Sequence, residues 1–169
     1  MNPFFIYFVN ILAISLPLSL FEIVVEKDAG WGSGWEKDRW HARAFAPHSP
    51  TVKAFVNLLN IEQPLNYHFY VFFGLLPLIL GLEYWYWTDN FLLLLASFVG
   101  VLVFEDVFWF LFNWHFNSRK ELLKGPHGSI WWHKRWVKVI SNYYVPVSYV
   151  CALPLSLALL LLARYRGLF

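Results

Sequence analysis

A single cysteine among 169 residues, Cys151, leaves this chain without a disulfide framework or a thiolate metal cluster. Charge is also scarce. Charged residues make up 14% of the chain and apolar ones 59%, with a mean hydropathy of +0.48, which excludes an ordinary soluble domain. There is no GxSxG nucleophile elbow, HExxH helix or CxxC pair, and no internal repeat of the kind secondary transporters carry. The clustered histidine boxes of membrane desaturases and hydroxylases, HxxHH among them, are missing too. Any likeness to those enzymes is therefore one of architecture alone. The net charge of only +2 has no basic stripe on a soluble module, so nucleic acid is not an expected partner.

What is present is apolar sequence in long runs. Four segments approach the roughly 20 residues needed to cross a hydrocarbon core. They lie at about Asn2–Val25, Asn66–Trp87, Asn90–Phe112 and Ser141–Ala163. The first lacks a basic leading region and outlasts the apolar stretch of a signal peptide, so it reads as an anchor. The expected fold is an all-α, integral-membrane four-helix bundle, a single four-span domain over residues 1–169. Two long loops separate the spans, and the third connection is a tight turn at Thr88-Asp89.

Basic residues set the orientation. Lys27, Lys37, Arg39, Arg43 and Lys53 fall in the first loop, and Arg119, Lys120, Lys124, Lys134, Arg135 and Lys138 in the third. The positive-inside rule then places both long loops in the cytoplasm and both termini outward. Trp31, Trp35, Trp40, Trp131, Trp132 and Trp136 supply a cytoplasmic aromatic belt, and Tyr84 through Trp87 an outer one. Within the third loop, Ser129 through Ile140 spaces Trp132, Trp136 and Ile140 four apart with cations between. This predicts an interfacial amphipathic helix whose Lys134, Arg135 and Lys138 meet lipid headgroups. Gly30 through Trp35, GWGSGW, lacks the spacing of a nucleotide-binding loop and reads as a Trp-anchored turn. Gly125-Pro126 predicts a turn that folds His127 back toward the bundle.

The exception to the apolar runs is Glu105-Asp106, an adjacent acid pair inside the third span. A carboxylate at the centre of a membrane helix costs roughly 2.5–3.5 kcal/mol on insertion scales, so intramembrane acids mark functional sites by default. Sorted by depth, Glu22, Glu26, His68, His115, His127 and His133 all fall toward the same end of the bundle as the pair. Carboxylate and imidazole are the donors of carboxylate metal sites, and a cation offsets the cost of burying the acids. Neighbouring residues on a helix differ by about 100° in direction, so Glu105 and Asp106 face different ways. Glu105 is the expected ligand, with His115 nearer its face, and Asp106 the support. Glu83 is expected in solvent at headgroup level.

The function these residues predict is a small membrane metalloenzyme acting on a lipid or other hydrophobic substrate. Glu105 and Asp106 would be catalytic, and Glu22, Glu26, His68, Glu105, His115, His127 and His133 the metal set. Iron and redox chemistry such as hydroxylation or desaturation stand ahead of zinc and headgroup hydrolysis or transfer, and haem stands behind both. Two other readings compete: a homo-oligomeric proton-coupled transporter or channel in which the acids titrate, and an assembly factor whose buried acids only fix the bundle.

Overall fold

The computed structural model describes residues 2–27, 39–59, 62, 64–115, 118–130 and 132–166. The fold is mostly helical, at 75%, and four helices are long and apolar enough to cross a membrane. They are α1 (Pro3–Glu26), α3 (Asn66–Thr88), α4 (Phe91–Phe112) and α6 (Val147–Arg166). Two shorter helices, α2 (Pro50–Leu59) and α5 (Ser118–Lys124), lie in the long connections. Trp31, Trp35, the GWGSGW segment and Trp131 fall outside the described residues.

The first three spans begin and end within a residue or so of the predicted ones, because their apolar runs stop at strong caps. Asn2 Oδ1 accepts from the Phe4 amide with Pro3 behind it, a start that needs no amide from proline. Asn90 caps α4 in the same way, through the Leu93 amide. Asp89, between α3 and α4, takes the left-handed conformation that a short polar side chain tolerates.

The fourth span is a correction. Trp136–Ile140 (β1) and Tyr143–Pro146 (β2) form an antiparallel hairpin, and α6 starts only at Val147. The predicted interfacial helix at Ser129–Ile140 is therefore absent from its described part. Val137, Val139, Ile140, Tyr143, Tyr144 and Val145 are β-branched or aromatic, and once the chain turns at Ser141 all but Val139, which sits at a register shift, pair across the hairpin. Their preference for a pleat outweighs the four-residue spacing of Trp132, Trp136 and Ile140. Trp132 is also no belt residue. It is buried, stacked on Phe110 at 5.9 Å and edge-on to Trp109 at 5.8 Å, in a cluster with Ile23 and Ile130. Lys134, Arg135 and Lys138 stay exposed, although Lys134 pairs with Glu62 at 3.3 Å.

α4 is the central element, packed against α1 on one side and α6 on the other. Tyr7 and Ser156 share a hydrogen bond of 2.9 Å, and Ser156 donates to the Ala96 carbonyl at 2.8 Å, tying all three helices. A Cβ on Gly100 would sit 2.6 Å from the Tyr7 hydroxyl and 2.8 Å from Ile11 Cδ1. Since that hydroxyl is already committed to Ser156, Gly100→Ala is expected to cost about 1–3 kcal/mol by overpacking. Thermal unfolding in detergent should show a fall of several degrees, and an unchanged midpoint would mean that α1 and α4 separate without penalty.

α3 ends in a turn that takes five residues rather than four, at Tyr84–Thr88, and two of the spans also contain such a wide turn in their interior. In α1 it covers Ile11–Ser15 and in α3 Val71–Leu75. Proline explains both. Pro17 and Pro77 have no amide to give the carbonyls of Ala13 and Phe73, and their rings press on those carbonyls, so the helix widens there. In α1 the wide turn brings Ser15 round to the face of Asn10, and Ser19, Glu22 and Glu26 follow at helical spacing. All five are buried. A polar stripe thus runs down α1 against α4. At its far end Asn10 donates to Ser97 at 2.9 Å and to Glu83 at 3.1 Å. Glu83 is half-buried on this contact, which corrects its expected place in solvent.

Candidate metal centre

Glu22 and Glu26 are one helical turn apart at the end of α1, and His68 sits in the first turn of α3. Each offers one ligand atom, and these atoms all lie within 4.8 Å of one another. His68 Nε2 is 3.5 Å from Glu26 Oε1. Relative exposures of 6% for Glu22, 4% for Glu26 and 3% for His68 place all three inside the protein rather than at a solvated helix end.

Glu105 joins this group from α4. It is 4% exposed, and its carboxyl lies within hydrogen-bonding reach of that of Glu22. Two carboxylates so close, away from water, need a proton or a cation between them. The Oε1 atoms of both Glu22 and Glu105 are buried without a hydrogen-bond partner. Metal–oxygen and metal–nitrogen bonds of about 2.0–2.2 Å put opposed ligands some 4.4 Å apart, so small side-chain rotations close this set on an ion.

Backbone geometry beside the cluster is unusual. Lys27, directly after Glu26, has φ 56° and ψ −113°, a conformation that favours glycine. The Asn113 side chain holds it there, donating to the Lys27 carbonyl at 2.7 Å. Asn113 ends α4, so the last turn of α1 is fastened to the last turn of α4, eight residues beyond Glu105. Such local strain, of order 1–3 kcal/mol, persists only where the surroundings hold it.

Asp106 faces elsewhere. Its Oδ2 accepts from the Tyr149 hydroxyl at 2.5 Å and lies 3.0 Å from His133 Nε2. These contacts fasten α4 to the start of α6 and to the segment before β1. Asp106 remains within electrostatic reach of Glu22 and His68, so the two groups of side chains are neighbours. The acid pair thus splits, Glu105 toward α1 and Asp106 toward α6.

The remaining histidines of the expected set do not join. His115 is exposed beyond the end of α4, where Asn113 Oδ1 accepts from its amide and turns the chain away. Its ring rests near Trp114 rather than Glu105. His127 does sit on a turn at Gly125-Pro126, but that turn leads to the hairpin, where its ring meets Tyr144 edge-on at 5.7 Å. Gly125 has φ +59°, and a Cβ there would fall 2.3 Å from that of Tyr144. His133 is buried but bound to Asp106, outside the Glu22, Glu26 and His68 group. Near His127, Glu121 is held below the usual carboxylate range by the Lys124 ammonium and by the Ser129 amide.

Comparison with known protein families, with curated proteins and with solved structures found no match to this chain. The chemistry is therefore read from the site itself.

Proposed function

We propose that this chain is an integral-membrane metalloenzyme whose divalent ion is held by Glu22, Glu26, Glu105 and His68. The observation that carries this reading is the convergence of the four side chains from three helices, with two buried carboxylate oxygens lacking any donor. A donor set of carboxylates with one imidazole suits iron or manganese, with zinc as the alternative. The apolar helices around it favour a lipid or another hydrophobic substrate arriving through the bilayer. The excess of Lys and Arg in the first and third loops puts this end of the protein on the cytoplasmic side, with both termini outward.

The test is metal analysis of detergent-purified protein. Stoichiometric divalent metal is expected in the wild type, and Glu22→Ala and His68→Ala should each lose it. A wild type without stoichiometric metal, after exposure to iron, manganese and zinc in turn, sinks the reading.

A further inference from the structure

The β1–β2 hairpin has two faces of different character. Residues directly opposite in an antiparallel ladder share a face, so Val137 lies beside Val145, while Lys138 and Tyr144 lie together on the other side. Strict alternation would put Ile140 with Lys138. The register shifts between Lys138 and Ile140, however, and Ile140 opposes Tyr143, which is two residues from Val145 and so on its face. The bulge therefore completes an apolar face of Val137, Ile140, Tyr143 and Val145. Ile140 is 69% exposed and Tyr143 55%, with Val139 at the bulge 56% exposed beside them.

The surroundings of the hairpin say what covers that face. Its other face is taken: Tyr144 packs on the turn at Gly125–His127, and β2 lies against α5, whose sequence SRKELLK is charged at four positions in seven. That is the water side. Val147, the first residue of α6, follows β2 directly, and its amide donates to the Arg135 carbonyl at 3.1 Å, so both strands leave from the head of a span. The five residues of β1 reach about 17 Å, whereas the headgroup layer is roughly 5–8 Å thick. An upright hairpin would carry its apolar tip through that layer into water. Laid flat beneath α5, it keeps the same face at the boundary of the acyl chains. From Trp132 to Val147 the sequence has Lys134, Arg135 and Lys138 and no acid, a balance that complements anionic headgroups.

We propose that the hairpin is a membrane-surface anchor, with the face of Val137, Ile140, Tyr143 and Val145 resting in the bilayer where headgroups meet acyl chains. A strand period of two with one bulge does here what an amphipathic helix does in other interfacial anchors. The hairpin takes its depth from α6 as a membrane span. Its ligand is a bilayer surface rather than an ion or a substrate, and a chain that binds no metal would lie in the same way.

The experiment uses the full-length protein in nanodiscs of phosphatidylcholine with phosphatidylglycerol. Cys151→Ser removes the single native thiol, and one nitroxide is attached at Ile140→Cys, Tyr143→Cys or Lys138→Cys. Collisions of the label with oxygen, which concentrates among acyl chains, are compared with collisions with a water-soluble nickel chelate. The ratio of oxygen to nickel collisions should be several-fold higher at Ile140 and Tyr143 than at Lys138 on the opposite face. A ratio at Ile140 and Tyr143 no higher than at Lys138 overturns the proposal. Disagreement between Ile140 and Tyr143 does so too, since one face lies at one depth. Spin–spin broadening at Ile140 that grows with the number of chains per disc also overturns it, by placing a second copy of the chain on this face.

Discussion

Glu105→Gln should make the metal-free protein more stable while weakening its hold on a metal ion. The substitution keeps the shape of the side chain and replaces one of two facing carboxyls by an amide that donates to Glu22. A charge-assisted hydrogen bond then stands where two acids had to share a proton or a cation. Removal of a buried like-charge contact is worth about 1–3 kcal/mol. At roughly 2–4 °C per kcal/mol for a chain of this length, the metal-free midpoint should rise by several degrees. Metal affinity should fall on the order of 100-fold or more, since a ligating oxygen is gone. The opposite signs are what matter. A general packing defect would lower both quantities, and a purely structural knot would leave metal binding untouched. If Glu105→Gln is less stable than wild type and binds metal as well, Glu105 is not a ligand.

Asp106→Ala should be the most damaging single substitution in the chain. One carboxylate oxygen serves the Tyr149 hydroxyl and the His133 ring, on two other segments. Truncation leaves both donors buried with nothing to accept from them, and breaking a largely buried charged contact costs about 3–5 kcal/mol. The thermal midpoint should fall by about 10 °C on the same scaling. Tyr149→Phe removes one donor and leaves the acceptor satisfied by the other, so its cost should stay near 1 kcal/mol. A double-mutant cycle between the two positions measures the coupling directly. If Asp106→Ala costs no more than Tyr149→Phe, Asp106 does not join α4 to α6 and the hairpin.

Much of the scaffold was legible before any coordinates, for a physical reason. A membrane span announces itself by length and apolarity, and the caps Asn2-Pro3, Asn90 and Asn113 close the first and third runs at defined residues. The fourth span was misjudged by six residues at its start because apolar, aromatic sequence at Ser141–Pro146 counts equally toward a helix and a strand. Only cross-strand pairing with Val137 and its neighbours separates the two.

Depth along the helices was also legible, which is why Glu22, Glu26, His68 and Glu105 were candidates. Rotation was not. Spacing allowed His115 to share the Glu105 side, but α4 ends at Phe112 and Asn113 sends the chain outward. Tyr149 went unread because the span was expected to begin at Ser141, which put this tyrosine eight residues inside an apolar run with no charge to mark it. Its depth, matching Asp106 on the antiparallel neighbour, was the available signal. Asn10, Ser15 and Ser19 were hidden differently. At 3.6 residues per turn Asn10 and Ser15 point well apart, and only the wide turn aligns them.

Those wide turns have a mechanical consequence. α1 and α3 are jointed, each with a stretch of weakened backbone hydrogen bonding ahead of a proline, whereas α4 is an unbroken rod of 22 residues. Glu22 and Glu26 hang below one joint, and His68 lies just outside the other. Glu105 is carried by the rod. Bending concentrates where a helix is already widened, so the two arms can swing toward or away from a fixed anvil without unwinding. An ion held by these side chains would meet jaws rather than a cage, and its grip would be a property of two hinges some distance from the donors.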